Sequence, residues 1–243
     1  MTPSTPPALA TRFPTRIHRL DIKDPSNTAK ILRAIDLLAP IDPDALLDDP
    51  LIEQRYKADN YLPYWPIIWP SGLMLAAEIL GGRPLPPAES APPRTIDLGC
   101  GLGITGIAAA LRGYHVTFTD YDPEAVQFAA HNAQRNGIPT DRIRALHMDW
   151  RAPLDETFSW VLASDVLYER RLHPLLLTCI QKLLARTPDA QAWVSDPQRT
   201  SAEDFPLHAV EHGFKVQTHN LEGENFAGGK QSGQLYILRH AKP

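Results

Sequence analysis

Cysteine is scarce in this sequence: Cys100 and Cys179 are the only two among 243 residues. They have neither the paired spacing of a zinc site nor the density of a disulfide framework, which points to a reducing compartment. Long apolar runs are missing as well. No stretch reaches the ~18 consecutive apolar residues of a membrane-spanning helix. The opening "MTPSTPPALATRFPTR" has no signal-peptide core, so the expected location is cytoplasmic. An excess of positive charge is also absent. The formal net charge is -4, which gives no general attraction to a nucleic-acid backbone. The nine histidines form no metal-like group; His208 and His212 share a helical face without an evident third ligand. What is present is ordinary globular composition, 43% apolar and 21% charged. The length suits one large domain, or one domain with an extension.

Proline stands at about twice its usual share, 24 residues, and clusters in the first 14 residues and in "RPLPPAESAPPR" at 83–94. Residues 1–16 read as a disordered tail and the second cluster as an extended linker. "SNTAKILRAIDLLA" is predicted as an amphipathic helix starting at Ser26, and "SGLMLAAEILGG" as a more apolar helix closed by Gly81 and Gly82. Residues 17–60 are therefore expected to form a helical extension ahead of a main domain at 61–243. From residue 94 the pattern alternates. "RTIDLGC", "HVTFTDY", "RIRALHMDW", "FSWVLASDVLY" and "QAWVSDP" read as strands, with helices at about 104–113, 123–137, 170–185 and 201–213. Only the third strand lacks a helix behind it. The tail breaks the rhythm: "FKVQTHNLE" and "QLYILRHA" have no helix between them and are expected to pair antiparallel. The fold class is α/β, a mostly parallel sheet with helices on both faces and a C-terminal antiparallel strand pair.

Ligands of such sheets bind at the carboxyl ends of the strands, so the turn in "TIDLGCGLGITGI" is the first candidate site. Gly101, Gly103 and Gly106 spell a dinucleotide fingerprint, but the strand ends at Leu98, which makes Gly99 the turn residue. Counted from Gly99, the sixth position is Ile104, and the fingerprint is two residues out of phase. The phase through Gly99, Gly101 and Gly103, behind Asp97, suits a ligand without phosphates. Asp97 is placed to position the cationic amino-acid end of S-adenosylmethionine, directly or through water. Asp120, at the next strand end beside Tyr121, is placed to accept from both ribose hydroxyls. Asp149 and Trp150 follow, to accept from the adenine amino group and to lie against its ring.

With these residues placed, the chain resembles the class I, seven-β-strand S-adenosylmethionine-dependent methyltransferases with their Rossmann-like sheet. More narrowly, it resembles the protein-lysine methyltransferases that modify chaperones, elongation factors and the electron-transfer flavoprotein β subunit. "YWPIIWPSGLMLA", "IDLGCGLGITGI", "MDW" and "LASDVLYE" carry the match, over roughly residues 60–240. "DVLY", Asp165 to Tyr168, fits the D-x-x-Y signature. The resemblance implies that Gly99, Cys100 and Gly101 face the cofactor, that Ser164 lies beside it and that Trp69 lies near its amino-acid end. Asp165 and Tyr168 would border the substrate channel as the catalytic pair. Asp165 would orient the incoming ammonium and Tyr168 would supply a hydrogen-bonding wall. The cofactor is then S-adenosyl-L-methionine, with no metal, and the partner a protein substrate such as an electron-transfer flavoprotein or a ribosomal protein, with neither nucleic acid nor membrane.

Other readings stay open. They are an N-methyltransferase acting on a small amine or another protein side chain, a non-catalytic module on the same fold, and an NAD-dependent oxidoreductase. A nucleic-acid amino-methyltransferase typically has Asn- or Asp-Pro-Pro-aromatic where this chain has "SDVLY". For Trp65, a packing strap is the preferred role.

Overall fold

The computed structural model describes residues 13–86 and 92–242. Most of the expected disordered tail and the middle of the proline linker lie outside the described residues. Thr15 and Arg16, assigned to that tail, already belong to the first strand.

The chain begins with a hairpin, β1 (Thr15–Asp24) and β2 (Asn27–Pro40), paired antiparallel from Thr15↔Pro40 to Asp24↔Asn27. This corrects the helix expected from Ser26. The spacing of Ile31, Leu32, Ile35, Leu38 and Ala39 fits a helical face, but Ile35, Leu37 and Ala39 also fit one face of a strand. The partner sequence "TRIHRLDIKD" supplies Leu20 and Ile22 to the same core, and pairing overrides local preference. Asp24 closes the turn by accepting from Ser26 N at 3.0 Å and Ser26 Oγ at 2.7 Å. The extension is helical only in its last part, a short 3-10 turn at Asp44–Asp48 followed by α1 (Pro50–Asp59), where the Asp49 side chain accepts from Leu51 N.

Helix α2 (Pro70–Leu80) is apolar on nearly every side because the sheet covers one face and the hairpin the other. The alternating units then follow as β3 (Arg94–Leu98), α3 (Ile104–Leu111), β4 (His115–Asp120), α4 (Pro123–Arg135) and β5 (Ile143–His147). After β6 (Trp160–Ser164) come α5 (His173–Leu183), β7 (Gln191–Asp196) and α6 (Phe205–Glu211). No helix separates β5 from β6, as expected. With β8 (Phe214–Glu224) and β9 (Lys230–His240) added, the sheet has seven strands in the order β5-β4-β3-β6-β7-β9-β8. β3 to β7 are parallel, while β9 runs antiparallel between β7 and β8.

Both faces are buried. One core packs α2, α3, α4 and the hairpin around Met74, Phe118 and Phe128; the other packs α5 and α6 around Leu176, Phe205 and Val194. Two asparagines one turn apart on α4 and at its end tie the hairpin down like an extra strand. Asn132 accepts from Leu38 N at 2.7 Å and donates to Leu38 O at 3.1 Å; Asn136 does the same for Asp36, both at 2.9 Å. Among the described residues, no helix is long and apolar enough to cross a membrane.

Candidate active site

The strand order reverses between β3 and β6, since the chain builds outward from β3 in one direction and from β6 in the other. Loops leaving the carboxyl ends of two such neighbours part and leave a crevice. Here the crevice is a cleft of about 320 Å³, a size suited to a small molecule.

The glycine turn forms its floor. Gly99 and Gly101 have φ values of 63° and 51°, and a Cβ on Gly101 would meet the Trp65 carbonyl oxygen at 3.0 Å. The turn is anchored from β4: Cys100 N donates to Thr119 O at 3.0 Å, and Gly101 N to Asp120 Oδ2 at 2.9 Å. The other Asp120 oxygen accepts from Asp122 N at 2.9 Å. Burial pushes the Asp120 carboxyl up to about 6 despite these donors. Trp150 lies against Gly99, its Cζ2 3.7 Å from where a Cβ there would sit. Asp149 accepts from the backbone and guanidinium of Arg151, which hold its carboxyl below the usual range.

Eleven of the thirteen site residues expected from sequence line this one cleft: Trp69, Gly99, Cys100, Gly101, Asp120, Tyr121, Asp149, Trp150, Ser164, Asp165 and Tyr168. Asp97 and Gly103 do not. Asp97 is fully buried beneath the turn, where Oδ2 accepts from Thr105 Oγ1 and Gly106 N, each at 2.8 Å. Its Oδ1 has no hydrogen-bond partner, and burial pushes its carboxyl up to about 7. Gly103 starts α3, where a Cβ would press on Ala129 Cβ at 2.9 Å. Gly106, the last glycine of the rejected fingerprint, is required for packing: a Cβ there would fall 2.2 Å from Phe118 Cε1.

Asp165 is more engaged than its sequence suggests. It adopts φ 58° at the end of β6, and its side chain is 3% exposed. Oδ2 accepts from Ser71 N at 2.9 Å and from Ser71 Oγ; Oδ1 accepts from Arg199 Nη1 at 2.8 Å. The carboxylate therefore fixes the first turn of α2 and pairs with a guanidinium. That guanidinium also reaches Asp196 at 3.3 Å and lies 5.3 Å from the Trp69 ring centroid. Tyr168 lines the cleft with its ring part-exposed, and partial burial with Glu169 nearby pushes its phenol up to about 12.

The strap before α2 closes the other side. Trp65 is buried against Phe128 with centroids 5.1 Å apart, the packing role expected for it. Arg55 on α1 pairs with Asp122 at 2.9 Å and stacks 3.6 Å over Tyr61, whose hydroxyl donates to the same carboxylate. Ser71, Arg199, Arg55 and Tyr61 escaped the sequence reading because their partners lie far along the chain. Asp122 also caps α4, its side chain accepting from Glu124 N.

A glycine turn on β3, an acid ending β4 and a polar β6 end facing them across a switch point define the class I S-adenosylmethionine-dependent methyltransferase architecture. Residues 65–211 match the family model described as lysine methyltransferase. The chain belongs to that family, whose members depend on S-adenosylmethionine. It is 32% identical over 166 residues to the electron transfer flavoprotein beta subunit lysine methyltransferase of Danio rerio, covering 62% of this chain and 57% of that relative. To the calmodulin-lysine N-methyltransferase of Arabidopsis thaliana it is 27% identical over 213 residues, covering 81% and 68%. Among solved structures, the ribosomal protein L11 methylase from Lactobacillus delbrueckii subsp. bulgaricus has a TM-score of 0.52 at 23% identity, covering 70% and 79%, a likeness of fold. The match thus spans little more than half the length of that Danio rerio methyltransferase.

Proposed function

We propose that this chain transfers a methyl group from S-adenosylmethionine to the side-chain amine of a lysine in a protein substrate. The observation that carries the reading is one cleft lined both by the β3 glycine turn with Asp120 and by the aromatic pair Tyr64 and Tyr168.

The residues suit the cofactor. The Gly99–Gly101 backbone comes close to the cleft, Asp120 is oriented by two backbone N–H groups and retains lone pairs for two hydroxyls, and Trp150 supplies a flat apolar face. When bound, S-adenosylmethionine supplies a sulfonium methyl group. The chain's part is mainly positioning, with the amine held in line at about 3 to 3.5 Å. Lysine reaches this site with a reference pKa of about 10.4, and burial between Tyr64 and Tyr168 favours its neutral, nucleophilic form. Asp165 is a positioning residue: it holds α2, and with it Trp69 and the channel wall, while Arg199 balances its charge.

The first substrate to try is an electron-transfer flavoprotein β subunit, on the strength of the Danio rerio relative; a ribosomal protein is second. Calorimetric titration with S-adenosylhomocysteine, in parallel with NADH, tests the cofactor half. Saturable binding of the former alone is expected, and binding of NADH alone overturns the reading. Methyl-labelled cofactor with the β subunit tests the rest. Label that disappears when the acceptor lysine is changed to arginine is expected, whereas transfer only to free amines favours the small-molecule alternative.

A further inference from the structure

A second hollow, of about 220 Å³, lies on the other side of α2 from the cleft: Gly72 lines the cleft, whereas Leu73, Met74 and Ala77 line the hollow. Its remaining walls are two hairpins. β1 supplies the residues from Arg19 to Asp24, and the β8–β9 hairpin supplies Glu222 to Phe226. The hairpins touch at two points, Lys23 with Glu224 at 2.7 Å and His18 edge-on to Phe226 with ring centroids 5.0 Å apart. β8 passes so close to the floor that a Cβ on Gly223 would meet Met74 Cγ at 2.8 Å. The β8–β9 hairpin also projects past the edge of the sheet on which the cleft opens, since Gln234 faces Asp196, the last residue of β7, and residues 230–233 continue beyond it. Phe226 is 47% exposed. The cations around the hollow are paired: Lys23 with Glu224, Arg19 with Asp36 at 3.3 Å, and Lys30 with Asp24 at 2.9 Å. Asp21 and Glu222 line it too, both exposed, and make no ion pair among the described residues.

We propose that this hollow is a second contact point for the protein substrate, holding an apolar side chain flanked by basic residues. The inference rests on the methyltransferase reading above. An apolar cavity of about 150 Å³ accepts a benzene molecule, so 220 Å³ over Leu73, Met74 and Ala77 has room for a leucine or phenylalanine side chain. Burying that side chain beside Phe226 removes apolar surface from water on both partners. Two unpaired carboxylates at the rim attract basic neighbours and repel acidic ones, which gives selectivity more than affinity. Two of the three walls lie outside residues 65–211, the part that matches the family model, so they can differ with the partner while the cleft keeps its chemistry. One helix, about 10 to 12 Å across with its side chains, separates the hollow from the cleft. At about 3.3 Å per residue an extended segment crosses it in about four residues, which sets the spacing between the apolar side chain and the acceptor lysine.

The methionines report on the two sites separately: Met74 lies in the hollow, Met148 in the cleft, and the only other is Met1. Protein isotope-labelled in its methionine methyl groups and saturated with S-adenosylhomocysteine is titrated with the blocked peptide Gly-Leu-Arg-Arg-Gly, and the methyl resonances are followed. A saturable shift of the Met74 signal with Met148 unmoved is expected, and replacing the leucine by serine or the arginines by glutamates should abolish it. Asp21→Lys combined with Glu222→Lys, both on the surface, should weaken the peptide about tenfold, and Phe226→Ala should weaken it as well. The same peptide extended so that a lysine precedes the leucine by about four residues should be methylated with a KM about tenfold below that of its serine counterpart and an unchanged kcat. No Met74 response, or one undiminished by the double variant, overturns the site. A Met74 response with no gain in methylation overturns its assignment to the substrate. Failure of S-adenosylhomocysteine to move Met148 in the unaltered protein defeats the methyltransferase reading itself, whereas its success without a Met74 response to peptide defeats only this inference.

Discussion

Asp97 and Asp120 lie at the ends of neighbouring strands, and burial raises both carboxyls, yet their surroundings give them different work. Asp120 borders the cleft, so cofactor binding that needs its ionised form should weaken as pH falls through about 6. Asp120→Ala removes a charged acceptor and is expected to cost about tenfold or more in S-adenosylhomocysteine affinity by calorimetry; Asp120→Asn should also abolish the pH dependence. Asp97 is walled off beneath the turn. It ionises near 3.8 when unfolded and holds its proton to about 7 when folded, so the folded state binds more protons between those values. Its contribution to stability therefore falls as pH rises through that window. Asp97→Asn still accepts from Thr105 and Gly106 but has no proton to lose, and its unfolding free energy in urea should vary less between pH 4 and 7 than that of the unaltered protein.

At the scale of elements, the attachment of the hairpin is what the site depends on. β2 lies along α4 through two side-chain amides, and α1 is tied to the start of α4 through Arg55 and Asp122. Asn132 carries a further bond, from Nδ2 to Leu102 O at 3.1 Å, so one buried side chain joins the hairpin to the glycine turn. Asn132→Ala leaves the buried Leu38 N–H unpaired and is expected to cost about 2 kcal/mol or more in urea denaturation. Because Leu102 lines the cleft, S-adenosylhomocysteine affinity should fall with it. The helix expected from Ser26 failed at this same scale. Its apolar spacing suits either period, and only the facing strand, with Leu20 and Ile22, selects the extended form.

Across the whole molecule, a ligand that binds the folded chain alone raises its stability by mass action. S-adenosylhomocysteine at about 100 times its dissociation constant should add about 2.7 kcal/mol, seen as a higher melting temperature, while NADH at the same concentration should leave the melting temperature unchanged. The prediction belongs to this scale because the cleft is assembled from the extension, the strap, four strand ends of the parallel sheet and the β6–α5 loop. Loosening any of these costs binding. Binding in turn ties them together.

The β/α alternation, the five parallel strands and the antiparallel closing pair follow from local pattern alone, because apolar runs, turn residues and helix caps are short-range signals. So does the phase of the glycine turn, fixed by where β3 ends. Eleven of the expected site residues share the cleft because strand ends in such a sheet converge on one edge. Tertiary structure alone decided that Asp97 is shut beneath the turn, that Gly106 serves packing against Phe118, and that Asp165 is held by Ser71 and Arg199. It also decided that residues 27–40 are a strand. In each case the deciding partner sits on another element: Thr105 and Gly106 on α3 for Asp97, Phe118 on the next strand, Ser71 and Arg199 on either side of Asp165 in the chain, and β1 across a turn. Burial and pairing are set by what folds against a residue, and a sequence read locally does not contain that.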